Sequence, residues 1–230
     1  MKKLGLIGGM SWESTVPYYQ LINRGIAQRL GGLHSASLIL HSVDFHEIEV
    51  LQHAGRWDEA GRILADIGHD LEKAGAECIV ICTNTMHKLA PVIEQRVDIP
   101  LLHIADATGA AIQDAGLTDI ALLGTQFTME GDFYRGRLEK KFGLRVRVPS
   151  EADRQMVHSV IYDELCQGIL SDDSRNQYLR VISQLVDEGA QGVILGCTEI
   201  GLLVDAGSCD VPRFDTTELH AAAAVDFALS

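Results

Sequence analysis

Two short segments carry the residue types that proton transfer at neutral pH needs: Thr83-Asn84-Thr85 and Cys197-Thr198-Glu199. Each follows an apolar run rich in β-branched residues, Cys78-Ile79-Val80-Ile81 in one case and Gly192-Val193-Ile194-Leu195 in the other. A cysteine acts as a base through its thiolate, which strand-end amides, a helix N-terminus or a cation favour. A threonine hydroxyl is far too weak an acid to serve as a free alkoxide, yet it hydrogen-bonds and relays a proton from water. A cysteine just after a buried run is also an ordinary packed thiol, so Cys197 alone leaves both readings open. Hydroxyl-bearing polar segments at both places favour a site, because a core position has no reason to repeat them.

Other candidate residues carry less. Gly5-Leu6-Ile7-Gly8-Gly9 lacks the GxGxxG spacing and the acidic ribose partner of a dinucleotide loop, so it reads as a substrate-cleft turn lined by Met10 and Ser11. His87 either tunes the site or merely hydrogen-bonds at a helix start. His41, His46 and His53 show no metal spacing with cysteines and no HExxH, so no metal is expected. Trp12, Trp57 and Tyr19 read as packing residues, and Asp172-Asp173 as a solvated helix start capped by Ser171.

The elements that must position these residues alternate between apolar β-rich runs and longer segments of helical period: Leu4 to Ile7, Trp12 to Leu30, Ala36 to Leu40, Trp57 to Lys73. Continuous apolar strands suit sheets covered on both faces, so the prediction is an α/β fold with mainly parallel sheets and ligands at the strands' carboxyl ends. The chain also repeats itself. Leu4 to Gly8 matches Ile120 to Gly124, and the same offset carries Tyr18 onto Tyr134. Ala74 to Thr85 matches Glu188 to Glu199, placing Thr83 on Cys197. Val97-Asp98-Ile99-Pro100 answers Cys209-Asp210-Val211-Pro212, each leading to an aspartate, Asp106 or Asp215, expected to cap an Ala-rich helix. Matches in one order imply a tandem duplication of about 110 residues. The expected architecture is two pseudo-symmetric lobes, residues 1–104 plus 213–230 and residues 105–212, with the active site in the inter-lobe cleft. Thr83 and Cys197 would then flank one ligand, the arrangement that inverting a stereocentre requires.

Bulk properties narrow the partners. With 230 residues, 47% apolar and 22% charged, the chain can build a real core. A formal charge of -13 opposes phosphate backbones and anionic membranes, and no basic cluster exceeds Lys140-Lys141. Nucleic acid and membrane are therefore not expected partners. Five cysteines without a CxxC, in apolar stretches and with no secretory leader, read as reduced and cytoplasmic.

Ile7-Gly8-Gly9-Met10-Ser11-Trp12-Glu13-Ser14-Thr15, Cys82-Thr83-Asn84-Thr85-Met86-His87 and Gly196-Cys197-Thr198-Glu199-Ile200 resemble the signature segments of the aspartate/glutamate racemases. The resemblance covers essentially the whole chain and is strongest to the enterobacterial broad-specificity amino-acid racemases. It implies a homodimer, no cofactor such as pyridoxal phosphate, and a two-base thiol mechanism. By position, Cys197 is the second-lobe thiol, facing the α-proton of L-amino acids, while Asn84, Thr85 and Thr198 bind the α-carboxylate and amine. Thr83 stands where the family's first-lobe cysteine precedes the Asn-Thr pair. Cys82 is one residue early, and strand alternation turns it away into the core. The family's distal-carboxylate Arg and Lys fall near Gln52 and Gln167, with Arg56 close enough to compensate, so a polar neutral substrate such as homoserine joins aspartate and glutamate. The single thiol keeps two alternatives open: a one-cysteine decarboxylase or isomerase of the same superfamily, and a non-catalytic amino-acid-binding relative. A cysteine hydrolase has no legible His-Asp or oxyanion arrangement.

Overall fold

A computed structural model describes residues 1–205 and 207–230. It holds two four-stranded sheets of one topology. The first joins β1 (Leu4–Gly8), β2 (Leu38–Ser42), β3 (Cys78–Ile81) and β4 (Leu101–Leu102) in the order β2-β1-β3-β4. The second joins β5 (Asp119–Gly124), β6 (Arg145–Arg147), β7 (Val193–Gly196) and β8 (Arg213–Asp215) in the order β6-β5-β7-β8. All strand pairings are parallel, as unbroken apolar strands require when helices cover both faces. The repeat read from sequence is thus a repeat of strand order, with β3 and β7 in equivalent central places.

In the first sheet, alternation sorts side chains onto two covered faces. Ile7, Ile79 and Ile81 pack with Leu64, Ile67 and Leu71 of the helix Trp57–Lys73. Leu4, Leu6, Val80 and Cys82 pack with Tyr18, Ile22 and Ile26 of the helix Trp12–Leu30, and with Ala221, Ala224, Val225 and Ala228 of the helix Thr216–Leu229. The alanines let these two helices approach closely. A Cβ at Gly25 would lie 2.8 Å from Val225 Cγ2, nearer than packed carbons tolerate.

The chain divides into two compact units, Met1–Ile104 with His220–Ser230, and Ala105–Leu219. The second reaches further than the expected boundary at residue 212, because Arg213–Asp215 pairs with β7 (Ile194 beside Phe214) and completes the second sheet. Val211-Pro212 introduces an edge strand; the exit from the unit lies within the helix Thr216–Leu229.

The repeated tyrosines have parallel roles. Tyr18 and Tyr134 are fully buried, and each hydroxyl finds a partner within its own unit, His220 Nδ1 at 2.8 Å and Thr108 Oγ1 at 3.4 Å. Asp215 caps its helix by accepting from the Thr217 and Glu218 amides at 2.9 and 3.2 Å. Asp106 does not cap. It lies inside the helix Ile104–Asp114 and takes a bidentate ion pair from Arg137, with Lys141 at 2.7 Å. Ser171 caps the helix Asp172–Asp187 through the Ser174 amide. Trp57 packs against the core and under Lys88, whereas Trp12 and Tyr19 are 62% and 52% exposed. These two share a face of the first helix that turns away from the sheet, which its length alone did not reveal. Among the described residues no helix is long and apolar enough to cross a membrane.

Candidate active site

In each unit the candidate residues follow directly on the end of the third strand in the sheet order. In the first, β3 gives way at Cys82 to a bend carrying Thr83 and Asn84, followed by a 3-10 turn Thr85–Leu89. Thr83 is half-buried, while Asn84 and Thr85 are buried. The Cys82 thiol lies in the hydrophobic core, fully buried, and burial pushes its pKa well up. It is a packing residue. Beside this bend, the start of the helix Trp12–Leu30 is knitted to the strand ends: the Gly9 amide donates to Thr15 Oγ1 at 2.8 Å, and Ser14 Oγ donates to the Ser11 carbonyl at 2.9 Å and the Cys82 carbonyl at 3.4 Å. Ser11 and Met10 are buried, Met10 within the core cluster.

His87 folds back over the bend. Its Nδ1 lies 2.8 Å from the Thr83 carbonyl, and its Nε2 lies 3.2 Å from the Ile104 amide. Burial, with His103 and His220 beside it, holds its pKa well below the usual histidine range. Gln52 is 2% exposed on the helix Phe45–His53. Arg56 is not a spare cation, because Glu59 takes its Nε and Nη2 at 2.6 Å each.

In the second unit, β7 ends at Gly196. A Cβ there would lie 2.8 Å from the Leu123 carbonyl oxygen of β5, so glycine permits the close strand contact that places Cys197 at the strand end. Cys197 and Thr198 are each 8% exposed, and Glu199 only 2%. The Glu199 carboxylate organises the cluster. Its Oε2 accepts from the Cys197 thiol at 3.0 Å and from the Thr198 hydroxyl at 2.6 Å, and its Oε1 faces the Cys166 thiol at 3.8 Å. Burial first, then the Glu199 and Cys166 charges, push the Cys197 thiol well above the usual range. The expected lowering by strand-end amides is therefore outweighed, and the surroundings favour the thiol form of Cys197. Gln167, adjacent to Cys166, is exposed and donates to the Tyr162 carbonyl at 3.3 Å.

Glu199 was the residue that the sequence left without a role. The repeat contained the signal, since Glu199 aligns with Thr85: the unit with the thiol also has the carboxylate, and the unit with the hydroxyl at 83 has a second hydroxyl at 85. A lone acidic residue after a strand otherwise reads as solvated, and only its burial distinguishes it.

Known proteins resemble the chain over its whole length. The chain is 57% identical to a solved Yersinia pestis structure provisionally named an Asp/Glu racemase, covering 100% of both chains with a TM-score of 0.94. It is 34% identical to an aspartate racemase homologue from Pyrococcus horikoshii, covering 100% of both chains with a TM-score of 0.85. Broad specificity amino-acid racemase RacX of Bacillus subtilis is 23% identical over 93% of this chain and 92% of its own. Because the match to the Asp/Glu/Hydantoin racemase family runs from residue 7, in β1, to residue 224, in the last helix, it takes in both sheets and both candidate segments, and the chain belongs to that family.

Proposed function

We propose that the protein is an amino-acid racemase that uses no pyridoxal phosphate, with Cys197 as the base for the L-isomer and Thr83 at the opposing position. The observation that carries this reading is the 3.0 Å contact between the buried Cys197 thiol and the Glu199 carboxylate, at a strand end whose repeat equivalent is Thr83. Glu199 takes the thiol proton, and the thiolate removes the α-proton of the L-amino acid. Asn84, Thr85 and Thr198 hydrogen-bond the α-carboxylate, where negative charge develops. Water delivers a proton to the opposite face through the Thr83 hydroxyl, giving the D-isomer, and the proton held on Glu199 returns to solvent. One proton leaves carbon and one arrives, so nothing is oxidised or reduced.

A hydroxyl opposite a thiol makes the two directions unequal in rate, with efficient abstraction from the L-isomer and slow abstraction from the D-isomer. The equilibrium is unaffected. Aspartate, glutamate and polar neutral amino acids such as homoserine are the proposed substrates, since by family resemblance Gln52 and Gln167 stand near the positions of the Arg and Lys that would pair with a distal carboxylate. The test is incubation of L- and D-aspartate, glutamate and homoserine in deuterated water, with α-proton loss followed by NMR and both enantiomers by chiral chromatography. Exchange with racemisation, falling about 10²–10⁴-fold in C197A, is expected. Carbon dioxide release without α-exchange would favour a decarboxylase, and ligand-induced stabilisation without exchange a binding protein.

A further inference from the structure

Three histidines of the first unit, His87, His103 and His220, are 0%, 6% and 0% exposed, and the proton transfers above use none of them. They lie together: the His87 ring is 4.7 Å from that of His103 and 5.5 Å from that of His220. The chain leaves this unit after Ile104 and re-enters it at His220, so the cluster sits where both crossings are anchored.

The hydrogen bonds fix the protonation of His87 without ambiguity. The Thr83 carbonyl can only accept, so Nδ1 carries the hydrogen at 2.8 Å. The Ile104 amide can only donate, so Nε2 must present its lone pair at 3.2 Å. The second bond requires the neutral ring, and the two together select one tautomer. The Thr83 carbonyl belongs to the peptide that joins Thr83 to Asn84, so a donor on that oxygen sets the peptide's plane and, with it, the directions of both side chains. Unheld, an isolated bend after a short strand has several peptide orientations available.

We propose that His87, as the Nδ1–H tautomer, is a positioning residue for the Thr83 half-site, orienting the Thr83–Asn84 peptide while its other nitrogen holds Ile104. The proposal rests on the racemase reading for its kinetic consequence alone. It assigns the two ring nitrogens different duties, and two substitutions separate them. In H87N the amide nitrogen stands near the place of Nδ1 and keeps the donor to Thr83. In H87Q the amide oxygen stands near the place of Nε2 and keeps the acceptor for Ile104, but the donor is lost.

The experiment measures initial α-proton exchange of the D- and L-isomers in deuterated water for the wild-type protein, H87N and H87Q, repeated in the T83C background, for which faster D-isomer exchange is the expected outcome. The ratio of D to L exchange should fall at least tenfold in H87Q and stay within about threefold of the parent in H87N. A purely structural role would lower both isomers together and leave the ratio alone; that result, or equal ratios in the two variants, overturns the proposal. A readout independent of turnover accompanies it: ¹⁵N NMR of the wild-type protein at pH 7 should show His87 protonated on Nδ1 and bare on Nε2. The opposite tautomer overturns the proposal whatever the kinetics. If wild-type protein exchanges no α-proton from any amino acid, the racemase reading fails, and the tautomer still decides the placement of His87.

Discussion

The main surprise at the scale of residues is Glu199. A carboxylate 2% exposed is costly unless its oxygens are satisfied, and here they are met by the Thr198 hydroxyl and by two thiols. The cost makes sense if the group is there to accept a proton from Cys197, whose own surroundings hold it in the thiol form. Glu199→Gln keeps the shape and the hydrogen-bond acceptor but removes the base. L-isomer exchange should fall about a hundredfold, with the melting temperature little changed; exchange within a few-fold of wild type would show that Cys197 is activated by another route. The same substitution leaves Thr83 without a corresponding loss, since no carboxylate occupies position 85. Thiol with carboxylate in one unit, and two hydroxyls in the other, is a coherent asymmetry.

At the scale of elements, what was legible was what repeats. Parallel sheets, the equivalence of β3 and β7, the paired tyrosines and the core placement of Cys82 all follow from period, repeat and alternation, which can be read along the chain. What was not legible depends on partners distant in sequence. Asp106 was expected to cap and instead meets Arg137 and Lys141, three residues that no local rule connects. Trp12 and Tyr19 read as core or lobe packing because they are aromatic, and their exposure removes the core alternative, since which face a helix buries is decided by the sheet beneath it. The histidines that tie strand ends to helices are a second example, and they carry a pH consequence. His220 links Tyr18 to the Leu102 carbonyl, at 2.8 and 2.7 Å, and burial lowers its pKa from 6.5 to about 4; His87 is lowered as well. An unfolded histidine binds its proton near pH 6.5 and these folded ones do not, so the stability they contribute is intact above pH 6.5. It is lost as pH falls toward 4, and His220 alone is worth roughly 3 kcal/mol across that range. Chemical denaturation between pH 7 and pH 4 should show this loss, and H220F should flatten it. A slope unchanged by H220F would mean that other groups govern acid sensitivity.

At the scale of the whole molecule, one strand order is used twice, with different side chains after the third strand of each sheet. The duplicated halves were readable from the chain itself, but the boundary between them was misplaced by seven residues' worth of strand and helix start, since the Arg213–Asp215 strand serves the second sheet before the last helix returns to the first unit. A Pro preceded by Val marks where a short edge strand begins as readily as where a unit ends. The pairing of Thr83 with Cys197 was likewise visible before any family was considered, and the structure added the chemistry around each: a buried carboxylate at one, a histidine-held peptide at the other. The central proposal is that these equivalent positions act on opposite faces of one α-carbon and differ in rate because one is a hydroxyl. The most direct measurement is the ratio of initial deuterium uptake from the D- and L-isomers of one substrate, compared between wild type and T83C. A ratio well below one in wild type that rises about tenfold or more in T83C is the predicted result; equal uptake from both isomers in wild type, or a ratio unmoved by T83C, would contradict it.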